Sequence, residues 1–147
     1  MSEFSISIVA VAFVDIIWEE VTPHIQRVVD VAHGELTMEG IHKSLMDGNS
    51  LLVTISKGSE IVAVNTFEIR VLSSGVRTIY ISVTGGSELF KWKDDVVALA
   101  VKIAKKFKCT ELRVVAVRDG WTDILTPMGW EHVHQVLKFN VEKDDGR

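Results

Sequence analysis

Ile79-Tyr80-Ile81-Ser82-Val83-Thr84-Gly85-Gly86-Ser87-Glu88 is the stretch on which the reading of this chain turns. It alternates apolar and polar residues as a strand does, then runs into two glycines and an amphipathic segment. Ile79, Ile81 and Val83 share one phase, so one aliphatic strand face is expected. A strand, a glycine corner and a helix start together make a place where backbone N–H groups can face a phosphate. Gly85 and Gly86 permit positive φ and close backbone approach, a freedom that also serves a plain strand-to-helix connection.

Working outward, a helix is expected from about Asp94 to Phe107, with Val96, Leu99, Ala100, Ile103 and Phe107 as its buried stripe. Asp94 and Asp95 near its start and Lys102, Lys105, Lys106 and Lys108 toward its end complement the helix dipole. Glu111–Val117 reads as a strand, Trp121–Met128 as a short helix closed by Gly129, and Glu131–Val141 as a final strand. Upstream, Leu51–Ser56, Glu60–Val71 and Val76–Thr84 form a meander joined by Lys57-Gly58-Ser59 and Ser73-Ser74-Gly75. Ser5–Val14 reads as the first strand and Asp15–His33 as helix. Thr22-Pro23 inside that helix fits either a fresh start, with Thr22 as N-cap, or one continuous element. Thr37 caps a second helix, Met38–Met46. A strand-helix-strand crossover after the meander favours parallel pairing of Val76–Thr84 with Leu112–Val117.

A chain of 147 residues, 47% apolar and 24% charged, suits one globular domain over 1–147. The net charge of −4 argues against non-specific nucleic-acid binding, and the four tryptophans do not interleave with a basic patch. The lone Cys109 excludes an internal disulfide and fits a reducing compartment. Ile6–Ile17 is apolar but too short to span a bilayer and lacks the basic residues of a leader. A cytoplasmic protein with no membrane partner is expected, or one packaged in something assembled there.

The order strand, helix, helix, three strands, helix, strand, helix, strand resembles the GNAT acetyltransferases, over nearly the whole chain. The resemblance implies an α/β (α+β) mixed, splayed sheet and use of acetyl-CoA. It also implies a pyrophosphate loop at Gly85–Glu88, and Pro127-Met128-Gly129-Trp130 is similar to the family's closing Gly-Phe or Gly-Tyr signature. Trp18, Gly34-Glu35-Leu36-Thr37, Leu51-Leu52-Val53, Gly85-Gly86, Trp92 and Arg118-x-Gly120-Trp121 further resemble small GNAT-like proteins encoded by bacteriophages. That second resemblance implies host cytoplasm or virion, and an assembly or protein partner. The chain departs from the family at Thr84-Gly85-Gly86-Ser87-Glu88, which lacks the usual Arg/Gln and Gly-x-Gly register. It departs again at Leu125, where the family often has the tyrosine that protonates the leaving thiolate.

On this resemblance Ser82, Val83, Thr84, Gly85, Gly86 and Ser87 would hold the thioester and pyrophosphate, with Lys91, Lys93 and Arg118 as candidate phosphate cations. Lysines on a solvated surface, and Arg118 paired with Asp119 or Asp123, are the plain alternatives. Trp92 suits adenine or core packing. An acceptor amine must lose a proton before it attacks. Glu68, in phase with Val64 and Thr66 on the middle strand of the meander, is the candidate base. His33 and Glu35 lie in the loop that lines the family's acceptor cleft. His132 and His134 share a strand face, but no third ligand is evident and no metal is expected. Two functions follow: an acetyl-CoA-dependent N-acetyltransferase of unknown acceptor, or a non-catalytic relative serving as an interaction component.

Overall fold

Leu52, Val64 and Val83 come from three neighbouring strands and stack across one sheet face. Val14, Val21, Ile25, Val28, Ile41 and Leu45 descend onto them from two helices. This cluster organises the first of two compact units, Met1–Val117 and Arg118–Arg147. The computed structural model describes residues 3–115 and 121–143.

The elements of the first unit are β1 (Phe4–Val9), α1 (Val11–Val31), α2 (Met38–Met46), β2 (Ser50–Lys57), β3 (Glu60–Val71), β4 (Arg77–Gly86), α3 (Leu89–Lys106) and β5 (Glu111–Val114). The strands form one sheet in sequence order. Pairing is antiparallel from β1 through β4 and parallel between β4 and β5. The α3 crossover imposes that last orientation. α1 and α2 cover one face; α3 packs against β1, β4 and β5 on the other and buries Trp92, Val96, Ala100 and Ile103.

Several boundaries differ from expectation. The first strand ends at Val9 and α1 begins at Val11, because an apolar run on a helix buried along one side carries no marker of where strand gives way to helix. α1 is continuous through Pro23. The proline deletes one backbone bond, to the carbonyl of Glu19, and both residues lie on the exposed side of the helix. Thr22 caps nothing; its hydroxyl donates back to the Trp18 carbonyl at 2.6 Å. Thr37 does cap α2, accepting from the Gly40 amide at 3.0 Å.

The deciding stretch also departs from expectation. Val83 lies opposite Thr66 and Ile81 opposite Phe67, so Ser82 has no partner on β3: it is a β-bulge. The extra residue reverses the phase. Val83 joins the α1–α2 core, whereas Ile79 and Ile81 pair with Ile69 and Phe67 on the α3 face. The three aliphatics thus serve two faces. Beyond the bulge β4 continues through both glycines, which pair with Val64 and Ala63. α3 starts at Leu89, five residues before the expected Asp94. Its N-cap Glu88 takes φ +61°, and the Trp92 indole, 2% exposed, donates to the Ser87 carbonyl at 2.7 Å. That buried bond anchors the first turn, and Trp92 is a core residue.

The second unit holds α4 (Trp121–Leu125), a 3-10 turn over Thr126–Met128, and Gly129 at φ +94° as its left-handed C-cap. Residues 131–140 form no strand, contrary to expectation. Val133, Leu137, Phe139 and Val141 have a strand's alternation, but a strand exists only through a ladder of bonds to a neighbour.

Gly85 is a packing requirement. A Cβ there would stand 2.2 Å from the His24 carbonyl oxygen of α1, and one at Gly86 2.4 Å from the Ala63 Cα. Gly85→Ala is therefore expected to destabilise the protein by about 1–3 kcal/mol through overpacking. Chemical denaturation measures it; an unchanged midpoint would place the helix farther from the strand.

Candidate functional site

Two rows of side chains cross the α1–α2 face near its open end. Ser50, Glu68 and Tyr80 lie side by side on β2, β3 and β4; Leu52, Thr66 and Val83 form the next row inward. Above them stand the α1–α2 loop, with Glu35 and Leu36, and the first turns of α2, with Thr37, Ile41 and Ser44. Between floor and wall is a cavity of about 290 Å³ that also reaches Ser82 and Arg70. Every residue of its lining belongs to the first unit.

The cavity is polar for a cleft over a core. Ser44 and Ser50 share a hydrogen bond of 2.6 Å. Glu68 accepts from the Arg70 guanidinium at 3.0 Å, and the Arg70 guanidinium carbon sits 4.0 Å from the Tyr80 ring centroid. Arg70 is held above its ordinary pKa, chiefly by the bond to Glu68, with burial working against it. Glu35 has no ion-pair partner among the described residues. The Ser82 hydroxyl is buried and has no hydrogen-bond partner there either.

The other edge of β4 is the second half of the site. Among the described residues the β4–β5 pairing runs from Thr78·Glu111 to Ile81·Val114, with a further bond from the Val115 amide to the Ile81 carbonyl at 3.2 Å. The Ser87 amide donates to the Val62 carbonyl on β3 at 3.0 Å. Antiparallel alternation then turns Gly85 and Val83 toward β3 as well, and turns the amides of Thr84 and Gly86 toward the opposite edge. So Ile81 before the bulge, and Thr84 and Gly86 after it, point away from β3. Without Ser82 as an extra residue, the second set would be Val83 and Gly85.

These placements sort the candidate residues. Glu68, Glu35, Ser82 and Val83 meet at the cavity. His33, in a left-handed turn at φ +55°, is exposed and does not line it. Thr84 turns its hydroxyl to Asn65 at 2.8 Å. The Ser87 amide is engaged with β3, so the glycine corner does not offer all of its amides to an anion as expected. Lys91 contacts Glu88 at 3.0 Å and Glu3 at 3.8 Å, and Lys57 approaches the same Glu88 oxygen at 3.5 Å. Lys93 pairs with Asp94 at 3.2 Å. Arg118 lies outside the described residues. Cys109 is buried, and no cluster among the described residues could hold a metal. Sequence reasoning passed over Arg70, Tyr80 and the Ser44–Ser50 pair. Arg70 and Glu68, two apart on one strand, were the available signal.

No family model matches the sequence, and no curated protein matches it. Solved structures do. An aminoglycoside acetyltransferase from an uncultured soil metagenomic sample superposes with a TM-score of 0.67 at 14% identity, over 93% of this chain and 94% of that one. A predicted acetyltransferase with acetyl-CoA from Clostridium acetobutylicum gives 0.65 at 11% identity, over 97% and 99%. A ribosomal-protein-alanine N-acetyltransferase from Brucella melitensis gives 0.64 at 12%, over 93% and 99%. The chain has the GNAT fold. These neighbours speak to the fold and not to a bacteriophage origin. No helix among the described residues is long and apolar enough to cross a membrane.

The ion cluster at the start of α3 carries a pH signature. The Lys91 ammonium, seconded by Lys57, holds the Glu88 carboxyl below its ordinary value of 4.5. A depressed folded-state pKa stabilises the fold above the unfolded value and loses that contribution as pH falls through the folded one. The wild type is therefore expected to exceed Glu88→Gln in stability at neutral pH, by a small margin that salt reduces. The gap should close below about pH 4.5, the ordinary value. Denaturation curves of both proteins across pH 3–7 measure it; a gap that widens on acidification would contradict the assignment.

Proposed function

We propose that the whole chain, 1–147, is one GNAT domain acting as an acetyl-CoA-dependent N-acyltransferase. The observation that carries this reading is an acidic, hydroxyl-lined cavity that reaches Ser82, the bulge beyond which the amides of Thr84 and Gly86 turn away from β3. The residues suit the group. Outward-turned amides of Thr84 and Gly86 match an extended chain of amides and a carbonyl oxygen. The first amides of α3, which no side chain caps, suit a diphosphate. Acetyl-CoA, when bound, supplies an acetyl thioester.

The chain's own residues do the rest. Glu68 takes the proton that the acceptor ammonium must shed, and passes it to water. Arg70, clamped against Tyr80, keeps that carboxylate on the cavity side of the sheet. The amides of Thr84 and Gly86, turned away from β3, would donate to an oxygen on which negative charge builds. Lys91 and Lys93 serve the fold first, since each already pairs with an acid.

A second reading, a GNAT-fold interaction component without catalysis, draws support from Glu88: it brings a carboxylate to the start of α3 and occupies Lys57 and Lys91. Ligand-linked stabilisation separates the two. On the catalytic reading acetyl-CoA at a hundred times its Kd raises stability by about 2.7 kcal/mol. No shift in Tm at millimolar acetyl-CoA would favour the second reading. Glu68→Gln should keep that shift and lower kcat by about a hundredfold or more. An unchanged rate would remove Glu68 as the base.

A further inference from the structure

β1 is the last strand on its side of the sheet, and no strand among the described residues pairs with its outer edge. The hairpin after β2 fixes which backbone groups lie on that edge. Gly58-Ser59 is a two-residue turn, so Lys57 and Glu60 close it as a hydrogen-bonded pair. The register shift in this hairpin falls on β3, where Val62 has no partner, so β2 keeps its phase. Alternation turns Val53 and Ile55 toward β3, and Leu52, Thr54 and Ser56 toward β1. Their partners on β1 are Val9, Ser7 and Ser5. The amides and carbonyls of Ile6 and Ile8 therefore point away from the sheet.

Natural sheets block such an edge with a charged residue, a proline or a bulge. Phe4-Ser5-Ile6-Ser7-Ile8-Val9 has none of these, and its pairing with β2 is regular throughout. Ile8 is 46% exposed, and Val11 and Phe13, in the first turn of α1 just beyond the strand, are 40% and 57% exposed. Apolar side chains exposed together beside open backbone groups mark an interaction surface.

An open edge takes an extended chain. The sequence says which one. Ile6-Ser7-Ile8 reads the same in both directions. Laid antiparallel on a second copy about Ser7, it sets each Ile6 against an Ile8 and Ser7 against Ser7. The isoleucines then line one face of the joined sheet and the serines the other. Cross-strand pairs of β-branched side chains and of hydroxyls are both favourable. Each Ile6 exchanges two backbone bonds with Ile8 of the second copy. No charged residue lies between Phe4 and Val9 to oppose the approach.

We infer that the chain forms a two-fold dimer through β1, joining two five-stranded sheets edge to edge. The inference stands whether or not the chain transfers an acyl group.

Sedimentation equilibrium of the full chain is expected to show a dimer at micromolar concentration. Ile8→Pro removes an outward amide hydrogen that β2 does not use. It should weaken dimerisation by about tenfold or more, since each dimer loses two bonds. Cross-linking tests the register with a variant that leaves the strand's backbone groups in place. Ser7, whose own backbone faces β2, meets its copy as a non-hydrogen-bonded pair. Such residues stand about 4.5 Å apart at Cα, within the span of a disulfide. Ser7→Cys should therefore give a covalent dimer under diamide. Ser5→Cys should not, because its two copies lie roughly 13 Å apart along the strand. Both serines are exposed, and the wild type, with its buried Cys109, is the control. A chain that stays monomeric throughout the micromolar range overturns the inference. So does a dimer that Ile8→Pro leaves as tight, or one in which Ser5→Cys links as readily as Ser7→Cys; another segment or another face then holds the copies together.

Discussion

β4 has to satisfy four neighbours at once: β3 along one edge, β5 along part of the other, α1 above, and α3 below. A regular strand would present one phase of side chains to each face and one phase of amides to each edge over its whole length. β4 changes phase at Ser82. Below it Ile79 and Ile81 feed the α3 face and Ile81 engages β5; above it Val83 feeds the α1–α2 core, and Thr84 and Gly86 turn their amides to the edge away from β3. One inserted residue therefore moves a hydrophobic contact to the other face and redirects a set of backbone donors. The candidate site lies where those two consequences coincide.

Beyond the bulge α1 crosses the strand closely. The His24 carbonyl lies where the Cβ of any other residue at position 85 would stand, and Val28 flanks the same spot. Such contact fixes the height of α1 above the sheet, hence the depth of the cavity that opens past its C-terminal end. His24 adds a second tie, its Nε2 within 3.1 Å of the Ile61 carbonyl on β3. Its other ring nitrogen is buried and unpartnered among the described residues. A residue type that suggests phosphate binding in the sequence is here first a spacer between helix and sheet.

What could be read from the sequence follows from which signals are local. The order of elements over the first unit, the α2 cap at Thr37, both hairpin turns and the parallel crossover all rest on nearby residues or on chain length, and all were legible. The bulge was not. Both faces of β4 are covered, so aliphatic residues are wanted on both phases, and Ile79, Ile81 and Val83 look the same with or without an inserted serine. The true start of α3 was hidden because Glu88 enters it at positive φ, a conformation that carries no propensity signal. Within the site, Glu68 and Glu35 were found by phase and by resemblance. Arg70 and Tyr80 escaped because their importance lies in a contact across two strands. Residues 131–140 show the converse failure: a side-chain pattern is necessary for a strand but silent about whether a neighbour completes it.

At the start of α3 the lysines near the strand end, Lys57, Lys91 and Lys93, all face acids among the described residues. Glu88 sits at the N-cap, where a carboxylate would ordinarily compete with any incoming phosphate. Its side chain is instead drawn to Lys57 at the far end of β2, a residue paired with Phe4 on β1, and to Lys91 one turn along. Glu88 and Glu3 so neutralise the two lysines toward the β1 side, while the amides turned outward from β4 lie on the other. What is left facing the β5 side is the helix dipole, about half a positive charge, together with backbone donors. In a chain of net charge −4, recognition through main-chain dipoles has an advantage over recognition through lysines: dipoles cannot be captured by the surrounding acids, because their orientation is set by the fold.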